Sequence, residues 1–337
     1  MANNSRLKEL VQWLSSFASK YDFSVSSMTP ASADASFRAY YRLTGKGGSF
    51  IVMDSPPPME NVRPFIFIAS LMEKAGLNVP KIYEKDEERG FLLLSDMGTK
   101  TYLDVLDSHN ANALMDDATD ALILWQKASR PGVLPEYNRE VLLRELNLFP
   151  EWYLKCHRGM ELTDNQQKML DRTFDLIVDK VLSQSKVFVH RDYMPRNLMV
   201  EEVRNPGILD FQDALYGPVS YDIASLCRDA FISWDEPVVI DWTIRYWEKA
   251  RRAGIPVPQD FGQFWMDVEW MGLQRHLKVL GIFARINYRD GKPKYLADTQ
   301  RFLGYVQTTV HRYDELKPLA HFIDSLEQVG KETLYTF

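Results

Sequence analysis

The stretch VHRDYMPRN, residues 189–197, carries a carboxylate, Asp192, and five positions later an uncharged amide, Asn197, directly after the basic Arg196. Thirteen residues beyond Asn197, Asp210 closes an apolar run in GILDFQDA. These types at this spacing suit phosphoryl transfer. One carboxylate accepts or orients the proton of an attacking hydroxyl, while a second carboxylate and a neutral oxygen hold Mg²⁺ against a nucleoside triphosphate. The reaction asks little covalent chemistry of the protein and much positioning and charge neutralisation. A single loop aspartate most often caps a turn; the combination of the three is what points to chemistry.

The neighbours divide differently. His190 ends an apolar run and reads as a satisfied core histidine. Arg191 pairs with an acid or braces the loop. Asp222, in GPVSYDIASL, stands where a helix begins and suits a cap or first-turn position. Asp213 either binds a second metal or ends its turn.

These residues need a scaffold, and the chain has material for one. Its 337 residues are 45% apolar and 26% charged, with a formal net charge of -6, which speaks against nucleic acid or an anionic membrane surface as partner. Two cysteines, Cys156 and Cys227, have no metal-ligand spacing and read as free core or near-core thiols. No apolar run approaches the roughly 20 residues of a membrane span, and no signal segment is evident, so the expectation is a cytoplasmic protein.

Leu7, Leu10, Val11, Leu14 and Phe17 share one face of an N-terminal helix. SMTPASADAS then reads as a loop, followed by strands around 37–43 and 49–54, a helix over NVRPFIFIASLMEKAG, and strands around VPKIYE and FLLLS. From Thr101 the pattern is mainly helical, interrupted by short strand-like runs around the candidate chemistry. The expected division is 1–95, strand-rich and covering the nucleotide, and 96–337, helical, holding the catalytic loop, metal site and acceptor pocket.

HRDYMPRN and LDFQDA resemble the catalytic loop and metal-binding segment of protein-kinase-like folds, in the variant found in aminoglycoside and choline phosphotransferases. DASFRAYYRL, FIVMDSPPP, FLLLSDMG and RDGKPKYL extend the resemblance towards the kinases that phosphorylate the anomeric hydroxyl of N-acetylmuramate and N-acetylglucosamine in cell-wall recycling. The resemblance implies an α+β, bilobal protein-kinase-like fold with a small strand-rich N-lobe and a larger, mostly helical C-lobe. It implies ATP and Mg²⁺ as cofactors, Asp192 as catalytic base, Asn197 and Asp210 as metal ligands, and Asp222 as an anchor of the loop backbone. It also implies a sugar 1-phosphate product.

Two departures stand out. Protein kinases keep a lysine on the third strand for the phosphates, whereas SFIVMDS offers Met53 and Asp54, and SADASFRAY replaces a glycine-rich loop. Arg38 or Arg42 is therefore expected to supply the positive charge, Arg38 in first place, with amides and hydroxyls around Asp34, Ser36 and Phe37 over the phosphates. The hinge at Leu94–Gly98, including Asp96 and Met97, is expected to hold adenine through its backbone.

For the acceptor, Glu145, Glu151 and Trp152 together with Glu269, Trp270, Arg275 and His276 mix acids, bases and rings in a way that suits a sugar, and Arg196 or Arg275 suits a lactyl carboxylate. A small-molecule sugar is the expected partner, with no obligate protein partner evident. The competing readings are a cation-accepting aminoglycoside or choline kinase and a nucleotide-binding regulatory pseudokinase.

Overall fold

The computed structural model describes residues 2–33, 37–46 and 48–332. Five antiparallel strands, β1 (Thr29–Ala33), β2 (Ala39–Gly45), β3 (Gly48–Asp54), β4 (Ile82–Asp86) and β5 (Phe91–Ser95), form one sheet in the order β1-β2-β3-β5-β4. The helix Ala2–Ser15 packs Leu10, Trp13 and Leu14 into a cluster with Phe23, Leu43, Phe50, Val52, Phe91 and Leu93. Burial of each such side chain is worth about 1.5–3 kcal/mol, so the N-terminal helix is an integral cover of this sheet face.

One segment departs from expectation: residues read as a loop contain β1. Pro30 and small residues hide the strand, and an edge position with a register shift between Pro30 and Ser32 accommodates them. The helix Arg63–Lys74 forms as its pattern predicts, with Pro64 in the first turn and Gly76, at φ 87°, just past its end.

The chain divides into two compact units, Met1–Val105 with Arg196–Asp213, and Leu106–Pro195 with Ala214–Phe337. This division differs from the 95/96 boundary expected where the strand-rich pattern gives way to helices, by assigning 96–105 and 196–213 to the sheet-containing unit. The strands β6 (Lys186–Val189), β7 (Leu198–Met199), β8 (Gly207–Ile208) and β9 (Leu215–Pro218) explain how. β7 pairs β8 in the first unit, where Ile208 N–H also donates to the Asn78 carbonyl at 2.8 Å, while β6 pairs β9 in the second. The link from Ile208 back to Asn78, far along the chain, leaves no local signature.

The second unit is built around the helix Phe261–Asp290, in which every residue from Val268 to Gly281 is buried. A Cβ at Gly281 would lie 2.3 Å from the Leu148 backbone, so glycine permits this close approach. Among the described residues no helix is long and apolar enough to cross a membrane. Both cysteines are free; Cys227 is buried as expected, but Cys156 is exposed.

Candidate active site

In the first unit, Arg42, Ile51 and Leu94 are in-register neighbours on β2, β3 and β5, and all three line a cavity of about 340 Å³. The expected hinge forms one wall of it, since Leu94, Asp96, Met97 and Gly98 all line the cavity. Arg42 reaches across the strands to this hinge. Its Nε and Nη2 donate to the two Asp96 carboxylate oxygens at 2.6 and 3.0 Å, and Nη2 also donates to the Gly98 carbonyl at 2.8 Å. Burial raises the Asp96 carboxyl, but the bonds from Arg42 and Ser49 outweigh it and hold the group below the usual range. Arg42, weighed above as a phosphate partner, is thus committed to the hinge.

Asn197 and Asp210 lie side by side against the same cavity, the Asn197 amide 3.4 Å from Asp210 Oδ2, and Leu209 N–H donates to the Asn197 carbonyl at 2.9 Å. Gln212 Nε2 donates to Asp210 Oδ1 at 2.8 Å. Asp210 has φ 60°, a left-handed conformation that aspartate tolerates better than most residues. Arg38 is 11% exposed and paired at 3.3 Å with Glu60, whose other oxygen accepts the Phe37 N–H. Burial lowers the Arg38 pKa, but Tyr40, Glu60 and Asp210 more than reverse this, so the guanidinium is a held cation in the field of Asp210. Of the residues thought to cover the phosphates, Phe37 is exposed, and Ser36 and Asp34 lie outside the described residues. Asp54, in the region where the strand lysine was sought, is paired with Arg6 of the N-terminal helix.

In the second unit, the loop after β6 carries Asp192. Arg191 adopts φ 78°, unusual for a bulky residue and held only where surroundings demand it. Asp222 supplies that demand: its Oδ2 accepts the His190 N–H at 2.7 Å and its Oδ1 the Arg191 N–H at 3.0 Å. Complete burial pushes the Asp222 carboxyl up to about 7, against the pull of those two amides. His190 is a core histidine as read, fully buried and edge-on to Tyr193, and its Nδ1 accepts the Asp192 N–H at 3.2 Å.

The residues expected around the acceptor are placed less uniformly. Glu145 is buried, and its oxygens are taken by Arg191 at 2.6 Å, Lys278 at 3.1 Å, Gln274 at 3.2 Å and the Tyr137 hydroxyl. Burial pushes its carboxyl up, but Lys278, Arg191 and Tyr137 prevail and bring it to about 2. Glu269, Trp270, Arg275 and His276 are likewise interior. Glu269 accepts from Tyr313 and Arg312, and the His276 ring packs 4.9 Å from Tyr305. Trp152 is half-buried and Glu151 exposed in the π-helical segment Phe149–His157. Arg196 lines the first unit's cavity beside Asn197.

Sequence reasoning missed Glu60 and Lys278 altogether. Neither carried a usable signal: Lys278 shares its helix face with Gln274 and Arg275, a polar pattern that reads as solvent-facing although all three are buried.

Residues 27–258 match the phosphotransferase enzyme family, and the chain belongs to that family. Over 335 residues it is 51% identical to the N-acetylmuramate/N-acetylglucosamine kinase of Pseudomonas aeruginosa, covering 97% of this chain and 99% of that one. A protein described by the same words in Neisseria meningitidis serogroup B is 48% identical over 333 residues, 97% of each chain. Among solved structures, a choline kinase from Streptococcus pneumoniae superposes with TM-score 0.63 at 14% identity over 90% of this chain and 99% of that one. An ADP-bound aminoglycoside phosphotransferase gives 0.59 at 12% identity over 86% and 96%. These shared folds bear out the expected α+β, protein-kinase-like class.

Proposed function

We propose that this protein is a sugar kinase that transfers the γ-phosphoryl group of ATP to the anomeric hydroxyl of N-acetylmuramate or N-acetylglucosamine. The observation that carries this reading is the near-full-length identity of about half to relatives described as kinases of those two sugars. The residues support the chemistry independently. Asp192 takes the proton of the attacking hydroxyl, which as an anomeric hydroxyl is more acidic than an ordinary alcohol and eases the demand on the base. Adenine occupies the cavity walled by Leu94–Gly98, and Arg38, oriented by Glu60, faces the phosphates in place of the strand lysine.

Asp210 and Asn197 supply the hard oxygen donors that Mg²⁺ prefers, and when bound the ion neutralises phosphate charge. The remaining work belongs to the protein: holding the loop of Asp192 and orienting Arg38 through Glu60. For the acceptor, Glu151 and Trp152 remain accessible to a sugar in the second unit, whereas the burial of Glu145, Arg275 and His276 favours a supporting part for them.

The test is ADP release from Mg²⁺-ATP by purified protein with N-acetylmuramate, N-acetylglucosamine, kanamycin and choline in parallel. Turnover with the acetylated sugars, lost in Asp192→Asn, is the expected result. Turnover only with the cations would overturn the substrate, and full activity of the variant would overturn the base.

A further inference from the structure

Resting on the reading of Asp192 as the base, we propose that Glu145 and Lys278 form a permanent clamp on Arg191 and are positioning residues that hold the Asp192 loop in its reactive conformation. Glu145 comes from the helix Arg139–Leu146 and Lys278 from the central helix Phe261–Asp290, so two separate elements converge under one loop. Arg191 Nη2 donates to Glu145 Oε1 at 2.6 Å, and Lys278 Nζ meets the same oxygen at 3.1 Å. Gln274 and Tyr137 occupy the other oxygen, so both sides of the carboxylate are engaged.

Lys278 is fixed in turn by the Tyr221 hydroxyl at 3.1 Å, one residue before Asp222, and the Arg191 guanidinium lies 5.7 Å from the Tyr137 ring centroid. Asp222 therefore binds the loop through its backbone, and Glu145 through the Arg191 side chain.

The need for two anchors follows from the backbone. A φ of 78° at arginine is unfavourable by itself and persists only when its surroundings over-determine it. The residue so constrained immediately precedes Asp192. Kinases whose activation loop is ordered by phosphorylation dock the phosphate on an arginine; here a buried carboxylate meets the arginine without modification, and the loop needs no activating event.

Single removal of Glu145 would take the counter-charge from the buried Lys278 and the partly buried Arg191, so the informative variant is charge-balanced. Glu145→Gln with Lys278→Met removes one charge of each sign and leaves Arg191 without its carboxylate. Glu145→Asp, which keeps the charge on a shorter arm, serves as the conservative partner. Two readouts are taken: steady-state kinetics with both substrates, and hydrogen exchange of the amides in 189–194.

The clamp predicts a kcat lower by about 100-fold in the double variant, the scale expected when a reacting group is displaced by about 1 Å. Both KM values should be unchanged, exchange at Arg191 and Asp192 should be faster, and Glu145→Asp should fall between. Unchanged kcat and exchange would overturn the clamp. A raised acceptor KM with unchanged kcat would overturn it too, returning Glu145 to sugar binding. If the wild-type protein turned over none of the acceptors, the functional reading would fail, and exchange alone would decide: faster supports the clamp, unchanged refutes it.

Discussion

Replacing Asp222 with asparagine should change the protein's stability in a way that depends on pH, and the sign can be worked from the structure. The carboxyl is fully buried and pushed up to about 7, against an unfolded value of about 3.9. Between those values the folded protein binds the proton more tightly than the unfolded chain. This group's favourable contribution is therefore complete below about pH 4 and is lost as pH rises towards 7.

Three units at 1.4 kcal/mol each give a loss of about 4 kcal/mol across that window. The asparagine has no such window. It keeps one acceptor for the two N–H groups at 2.7 and 3.0 Å, and the amide left facing an NH₂ costs about 1–3 kcal/mol. Urea unfolding followed by tryptophan fluorescence should find the variant less stable than wild type at pH 4.5. At pH 8 that deficit should be erased or reversed, while kcat stays depressed at both pH values because the Arg191 amide has lost its anchor. The same stability difference at both pH values would refute the reasoning.

Two further predictions concern the nucleotide. Arg42→Met removes the fork to Asp96 and the bond to Gly98, so ADP affinity measured by calorimetry should fall about tenfold, one lost charge-assisted bond's worth, with the acceptor KM unchanged; equal weakening for both ligands would refute a hinge-specific role. In the wild type, the stability that Asp96 gains from its lowered pKa should be present above the unfolded carboxylate value and vanish as pH falls through the folded one. Arg38→Ala should raise the ATP KM and leave the acceptor KM alone, and Glu60→Gln should do the same more weakly; a matching rise in both KM values would remove Arg38 from the phosphates.

How much of this was legible beforehand depended on whether the governing interaction was local. The hairpin of β2 and β3, the helix Arg63–Lys74 and the apolar strand β5 follow from periodicity and from Pro64 and Gly76 at their boundaries. Asp192, Asn197 and Asp210 stood out because their roles are tied to short spacings along the chain. The strand β1 was not legible, since Pro30 disguises an edge whose unpaired side tolerates it. The assignment of 196–213 to the first unit was not legible either, being fixed by Asn78 and Thr101 more than ninety residues away.

The basic and acidic residues were where types misled, and the reason is physical. Arg42 and Glu145 each have the chemistry to bind a phosphate or a sugar hydroxyl, yet each is occupied by a partner within the protein, whereas Arg191 pairs with an acid, one of the two readings its sequence position allowed. A charged side chain near a reaction centre has two ways to offset its desolvation, a ligand or an internal counter-charge, and spacing cannot tell them apart. What does tell them apart is backbone strain. Among the four described non-glycine residues with positive φ, Arg191 and Asp210 fall in the two segments that the chemistry singled out. The side chains around them, Asp222 and Glu145 on one and Gln212 and Asn197 on the other, are those a strained conformation requires. Asp222 and Glu145, which hold the Arg191 backbone in place, are thus expected to affect kcat, and Arg42, on the cavity wall, to affect nucleotide binding.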